Sequence, residues 1–93
     1  MVALALALIP SPRVLLLDEP SLGLAPGLVE SVFATVERIG RETGTAIAVV
    51  EHKVRELLAV ADRVYAVKLG HVVLEGPAAE LADDVARLRD VFL

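Results

Sequence analysis

The stretch Val14-Leu15-Leu16-Leu17-Asp18-Glu19-Pro20 decides how the chain is read. Four aliphatic residues in a row are too few for a helix, and they suit a strand buried on both faces in a parallel sheet. Two adjacent carboxylates follow, and Pro20 cannot donate to a continuing ladder. The carboxyl ends of parallel strands are where open α/β sheets bind ligands. Two readings of the pair are open from these seven residues. Asp18 and Glu19 are the polar edge of a strand that Pro20 ends, or they serve metal–nucleotide chemistry. In the second case one carboxylate holds Mg²⁺ and its neighbour acts on a water.

Working outward, Ser21 to Gly27 is a loop rich in turn residues. A helix is predicted from Pro26, a residue suited to the first helical position, to Thr43, with Gly44 as the stop. Its Val29, Val32, Phe33 and Val36 follow the i, i+3, i+4, i+7 pattern of one helical face. Thr45 to Val50 is a second short apolar run, rich in β-branched residues and read as another buried strand. Glu51 and His52 lie at its carboxyl end. Lys53 to Ala61 reads as a short helix with Val54, Leu57, Leu58 and Ala61 on one face. Arg63–Val67 and Val72–Glu75 read as a hairpin turning at Leu69-Gly70. Gly76-Pro77 opens a C-terminal helical region in which Val85, Leu88 and Phe92 are candidates for burial. Upstream, Met1 to Ile9 is wholly apolar, dominated by Ala and Leu, and predicts a buried helix that stops before Pro10 and Pro12. This order of elements predicts an α/β fold with a largely parallel sheet.

Composition narrows the function. Ninety-three residues allow one small domain at most. The apolar fraction of 56% is high for so short a chain and predicts surface that expects a partner or a missing part. With one Tyr, two Phe and no Trp, the core must be aliphatic. The net charge of −4 and the lack of any basic run leave no electrostatic footprint for nucleic acid. The absence of cysteine excludes disulfides and thiolate metal sites. Met1 to Ile9 has no basic segment before it, so it does not read as a secretory signal, and it is too short to span a bilayer.

In a parallel sheet both strand ends lie on one edge, so Asp18, Glu19 and His52 can converge on one ligand. Alone, His52 reads as a capping or surface histidine; opposite Asp18-Glu19 it reads as functional. His71 is expected in an exposed turn, and Asp62 and Arg63 are expected to cap or pair locally. Glu80, Asp83, Asp84, Arg87, Arg89 and Asp90 read as a solvated helical face. Neither Lys53 nor Lys68 follows a glycine loop, so neither is a phosphate-loop lysine.

At these positions the chain resembles the ABC-type ATPases. Val14–Pro20 is similar to their Walker B segment, Ser21-Leu22-Gly23-Leu24-Ala25-Pro26 to their D-loop, and Val50-Glu51-His52 to their switch-histidine segment. Ala61–Tyr65 and Gly70–Gly76 resemble the segments that follow. The form of the D-loop is similar to that of ATPase subunits of branched-chain amino-acid importers, and importers of urea and other amides share it. The resemblance implies part of a RecA-like P-loop NTPase sheet, with ATP and Mg as cofactors. It implies that Asp18 holds Mg²⁺ through a water, that Glu19 polarises the attacking water, and that His52 contacts the γ-phosphate. Ser21 and the loop after it would face the nucleotide of a second ATPase subunit. The implied partners are that second subunit in a dimer, membrane permease subunits and, indirectly, a periplasmic or extracellular binding protein. The implied location is cytoplasmic, on the inner face of the cell membrane. Ala25 stands where many ABC ATPases have aspartate, which leaves the D-loop without that polar contact. The importers resembled pair a histidine-type with a glutamine-type subunit; the loop resembles the second type, and His52 the first.

Other parts of the family's pattern do not occur in the sequence. There is no G-x-x-x-x-G-K-[ST] loop, no glutamine-bearing loop and no Leu-Ser-Gly-Gly signature, and Met1 to Ile9 resembles the helix that follows that signature. Residues 1–93 therefore resemble the C-terminal part of an ABC ATPase nucleotide-binding domain. Hydrolysis coupled to transport is implied for a complete subunit, and an inactive remnant, unable to bind ATP by itself, is the alternative for this chain. In the sheet that the resemblance implies, the phosphate-loop strand lies between the strands at Ala46–Val50 and Val64–Val67, and without it the two lose a shared neighbour, which predicts unpaired edges and exposed apolar surface.

Overall fold

The computed structural model describes residues 2–83, which divide between His52 and Lys53 into two compact units. The first unit holds helix α1 (Val2–Leu8), strand β1 (Val14–Asp18), helix α2 (Pro26–Thr43) and strand β2 (Ala46–Val50). The second holds helix α3 (Val54–Val60), strands β3 (Arg63–Lys68) and β4 (His71–Pro77), and helix α4 (Ala78–Ala82). Among the described residues the strands form two separate two-stranded sheets, β1 with β2 and β3 with β4. No ladder joins β2 to β3 among the described residues, as the expectation of unpaired edges requires. Val85, Leu88 and Phe92, like Asp84, Arg87, Arg89 and Asp90, lie outside the described residues.

In the first unit β1 and β2 run parallel, with Val14 opposite Ala46 and Asp18 opposite Val50. Parallel neighbours need a long crossover, and α2 supplies it. Its bounds follow from local chemistry. Pro26 opens it with φ already suited to a helix, and Gly44 closes it in the left-handed conformation at φ 71°, donating its N–H to the Gly40 carbonyl at 3.1 Å. The predicted stripe Val29, Val32, Phe33 and Val36 is buried, together with Leu15 of β1. Gly40 permits the last turns of α2 to approach β2 closely, since a Cβ there would stand 3.3 Å from Ile47 Cδ1. The start of the ladder is tied by Ala46 N–H to Arg13 C=O at 2.9 Å and by the Thr45 hydroxyl to Pro12 C=O at 3.0 Å.

Two expectations need correction. The apolar runs predict strands buried on both faces, but α2 covers one face only. Side chains alternate across a strand, so Leu15, Leu17, Ile47 and Val49 are buried or half-buried while Val14, Leu16, Ala46, Ala48 and Val50 are exposed. Leu16, in the middle of β1, is 75% exposed. Likewise α1 is helical as predicted but not buried: none of Ala3 to Ile9 falls in the buried class, and Leu6 and Ile9 are exposed.

In the second unit Leu58, Ala66, Ala78 and Leu81 form the core, with Val54, Ala61, Val64 and Leu74 packed around it. The hairpin turns at Leu69 and Gly70, both at positive φ (51° and 79°), which is the pattern of a two-residue turn matched to the strand twist. Arg63 pairs with Glu75 across the hairpin at 3.0 Å, lies over the Tyr65 ring and has its pKa raised, chiefly by the hydrogen bond to Glu75. His71 opens β4 and is exposed. Among the described residues no helix is long and apolar enough to cross a membrane.

The uneven cover of β1 has a measurable consequence. Phe33, 2% exposed, should cost about 3–5 kcal/mol when cut to alanine. Leu16→Ala, in the strand but in solvent, should cost within about 1 kcal/mol. Urea unfolding followed by circular dichroism measures both; equal losses would mean the outer face of the ladder is covered in solution.

Candidate functional site

Because β1 and β2 are in register, their carboxyl ends lie level, and the residues just beyond them meet. Glu19 leaves the strand in the left-handed conformation, at φ 47°, and its N–H donates to the Val50 carbonyl at 2.7 Å. A non-glycine residue held there stores about 1–2 kcal/mol of steric strain, and such strain persists where surrounding bonds enforce it. This turn lets the Glu19 side chain reach across to the other strand, where its Oε1 contacts Nε2 of His52. The His52 ring is 87% exposed and Glu19 is partly buried.

Asp18 closes β1 on the uncovered face of the ladder. It is exposed, and its carboxylate has no hydrogen bond or ion pair among the described residues. The structure therefore brings together Glu19 and His52, two of the three residues expected to converge, and leaves Asp18 beside them, facing solvent. Ser21, expected to face a nucleotide with the loop after it, is 1% exposed. Its hydroxyl and its N–H (3.1 Å) both donate to Oε1 of Glu51, while Leu22, Gly23 and Ala25 of the same loop are exposed. Glu51 Oε2 accepts the N–H of His52 at 2.9 Å.

Glu51 is the residue that sequence reasoning passed over. A carboxylate directly after an apolar strand, on the edge that carries Asp18 and Glu19, was the available signal. Residue type alone cannot tell a carboxylate that accepts backbone N–H groups from one that meets a ligand, and the Ser21 contact spans thirty residues of sequence.

Asp18, Glu19 and Glu51 make this edge acidic, and His52 is its cationic candidate. Among the described residues no three His, Cys, Asp or Glu side chains are grouped to enclose a metal ion. A closed cage is not what Mg²⁺ needs: it keeps several waters and takes one or two carboxylates with phosphate oxygens from the substrate. The free, exposed carboxylate of Asp18 fits that share. Glu19 is partly buried and in contact with His52.

No family model matches the chain. Curated relatives do. The chain is 39% identical over 93 residues to the high-affinity branched-chain amino acid transport ATP-binding protein BraG of Pseudomonas aeruginosa, matching all of this chain and 39% of that protein. It is 37% identical over 83 residues to the lipopolysaccharide export system ATP-binding protein LptB of Escherichia coli, matching 89% of this chain and 34% of that protein. Among solved structures it is similar to cbiO1 of Clostridium perfringens, part of the ABC transporter complex cbiONQ, with a TM-score of 0.84 at 32% identity over 97% of this chain and 36% of that one. The chain thus spans between a third and two-fifths of the length of these relatives.

The exposed Glu19–His52 contact contributes little to stability, as exposed ion pairs do. His52→Ala should shift the unfolding free energy by less than about 1 kcal/mol. A loss of 2 kcal/mol or more in chemical denaturation would make the contact structural instead.

Proposed function

We propose, from the premise that this chain's relatives are ATP-binding subunits of ABC transporters, that it is the C-terminal part of such a subunit and carries its hydrolytic edge. The observation that supports this most is the meeting of Glu19 and His52 beyond two level parallel strands. Glu19 accepts the proton of the attacking water, which requires a carboxylate within hydrogen-bond reach. His52, on the next strand end, orients that water and contacts the terminal phosphate. Asp18 supplies the carboxylate that holds Mg²⁺ through a water. When bound, the metal neutralises charge on the phosphate oxygens; positioning and electrostatics do most of the work in phosphoryl transfer.

The sequence holds no loop of backbone N–H groups to cradle the phosphates, so ATP binding and hydrolysis belong to a complete subunit rather than to these 93 residues. The complete subunit works as a dimer beneath membrane permease subunits, on the cytoplasmic side, and a binding protein delivers the substrate outside. For the substrate we favour branched-chain amino acids, on the similarity to BraG across all of this chain and the form of the loop Ser21–Pro26. The comparable identity to an export ATPase supports a second reading, an ABC system of another kind, with urea or amide import as the nearer variant.

In a complete subunit, Glu19→Gln should lower ATP turnover by at least about 100-fold while nucleotide binding is kept. A fall of under fivefold would remove Glu19 from the chemistry. Calorimetry on the 93-residue chain should show no micromolar Mg-ATP binding; tight binding would mean the chain holds phosphates in a way its sequence does not reveal.

A further inference from the structure

We propose that Glu51 is a positioning residue, whose carboxylate holds Glu19 and His52 at their contact distance. Its two oxygens have separate duties. Oε1 accepts both donors of Ser21, two residues after Glu19, and Oε2 accepts the N–H of His52, next in the chain. The carboxylate thereby bonds the segment that carries Glu19 to the segment that carries His52.

The Glu19–His52 contact cannot hold itself. It is exposed, involves a long side chain free to rotate, and is screened by solvent and salt. The bonds made by Glu51 are of another kind. One partner, Ser21, is fully buried, and hydrogen bonds to a carboxylate are about twice as strong as those between neutral groups. The strained backbone at Glu19 must also be enforced from nearby, and the Ser21 anchor lies within two residues of it. Glu51 itself need touch neither water nor nucleotide. Its catalytic consequence rests on the hydrolytic reading above; its positioning role does not.

Nuclear magnetic resonance on the 93-residue chain tests the geometry. In Glu51→Ala the nuclear Overhauser contact between the Glu19 and His52 side chains should vanish. The Ser21 and His52 amides should exchange at least about tenfold faster, with the Val29 and Phe33 amides within about twofold of wild type. Glu51→Gln divides the duties, because an amide has one acceptor oxygen in place of two. Ser21 should stay protected, while the His52 amide loses protection and the Glu19–His52 contact weakens. Persistence of that contact in Glu51→Ala overturns the proposal. If that variant does not fold, an unchanged contact and unchanged His52 protection in Glu51→Gln overturn it instead. In a complete subunit Glu51→Ala should lower kcat about 10–100-fold with KM for ATP within about twofold. Lost contact with unaltered turnover would leave the positioning intact and refute the hydrolytic reading.

Discussion

The in-register parallel pairing of β1 with β2 is the constraint on which the rest of this structure depends. With Asp18 level with Val50, the residues just past each strand are opposed, and short side-chain reaches suffice to join them. A slip of one residue would turn every side chain of β1 to the other face. It would send Leu15 into solvent, bring Leu16 against α2, and carry Asp18 and Glu19 out of step with Glu51 and His52. The register is pinned at both ends: by Thr45 and Ala46 bonding to Pro12 and Arg13 at the start, and by Glu19 bonding to Val50 at the finish. Between them, the valine–phenylalanine face of α2 reads the correct face of the ladder.

Much of this is legible in the sequence, for reasons tied to particular residues. Helix α2 runs from Pro26 to Thr43 as expected because its signals agree: a proline that suits the first turn, an apolar stripe of the right period, and a glycine that can turn left-handed at its end. The strands are legible from short apolar runs, and the hairpin from Leu69-Gly70. The number of covered faces is not. A run such as Val14–Leu17 looks the same whether one helix or two layers pack on it, and only the structure shows that Leu16 and Val14 lie open. The helical α1 is misjudged in the same way, since Ala and Leu favour helix irrespective of burial.

At the candidate site, the residues with a recognisable chemical motif are the ones the sequence points to. Asp18, Glu19 and His52 stand at strand ends and draw notice as reactive side chains. Glu51 does not, because its task is to accept hydrogen bonds from Ser21 and His52, and acceptance of that kind depends on where distant backbone N–H groups come to lie. The loop after Glu19 likewise reads only as a stretch rich in turn residues, whereas its first residue, Ser21, is among the most buried of the described residues.

The backbone of Glu19 carries one more implication. Positive φ at a side chain of that length is a standing debt in folding free energy, and glycine or asparagine would relieve it. Position 19 thus sets two pressures against each other. Selection of random variants for solubility or resistance to proteolysis alone would enrich glycine and asparagine there, while on the hydrolytic role proposed above selection for turnover of a complete subunit would hold glutamate. The identity of residue 19 in such a pool therefore reports which of the two the chain has been answering to.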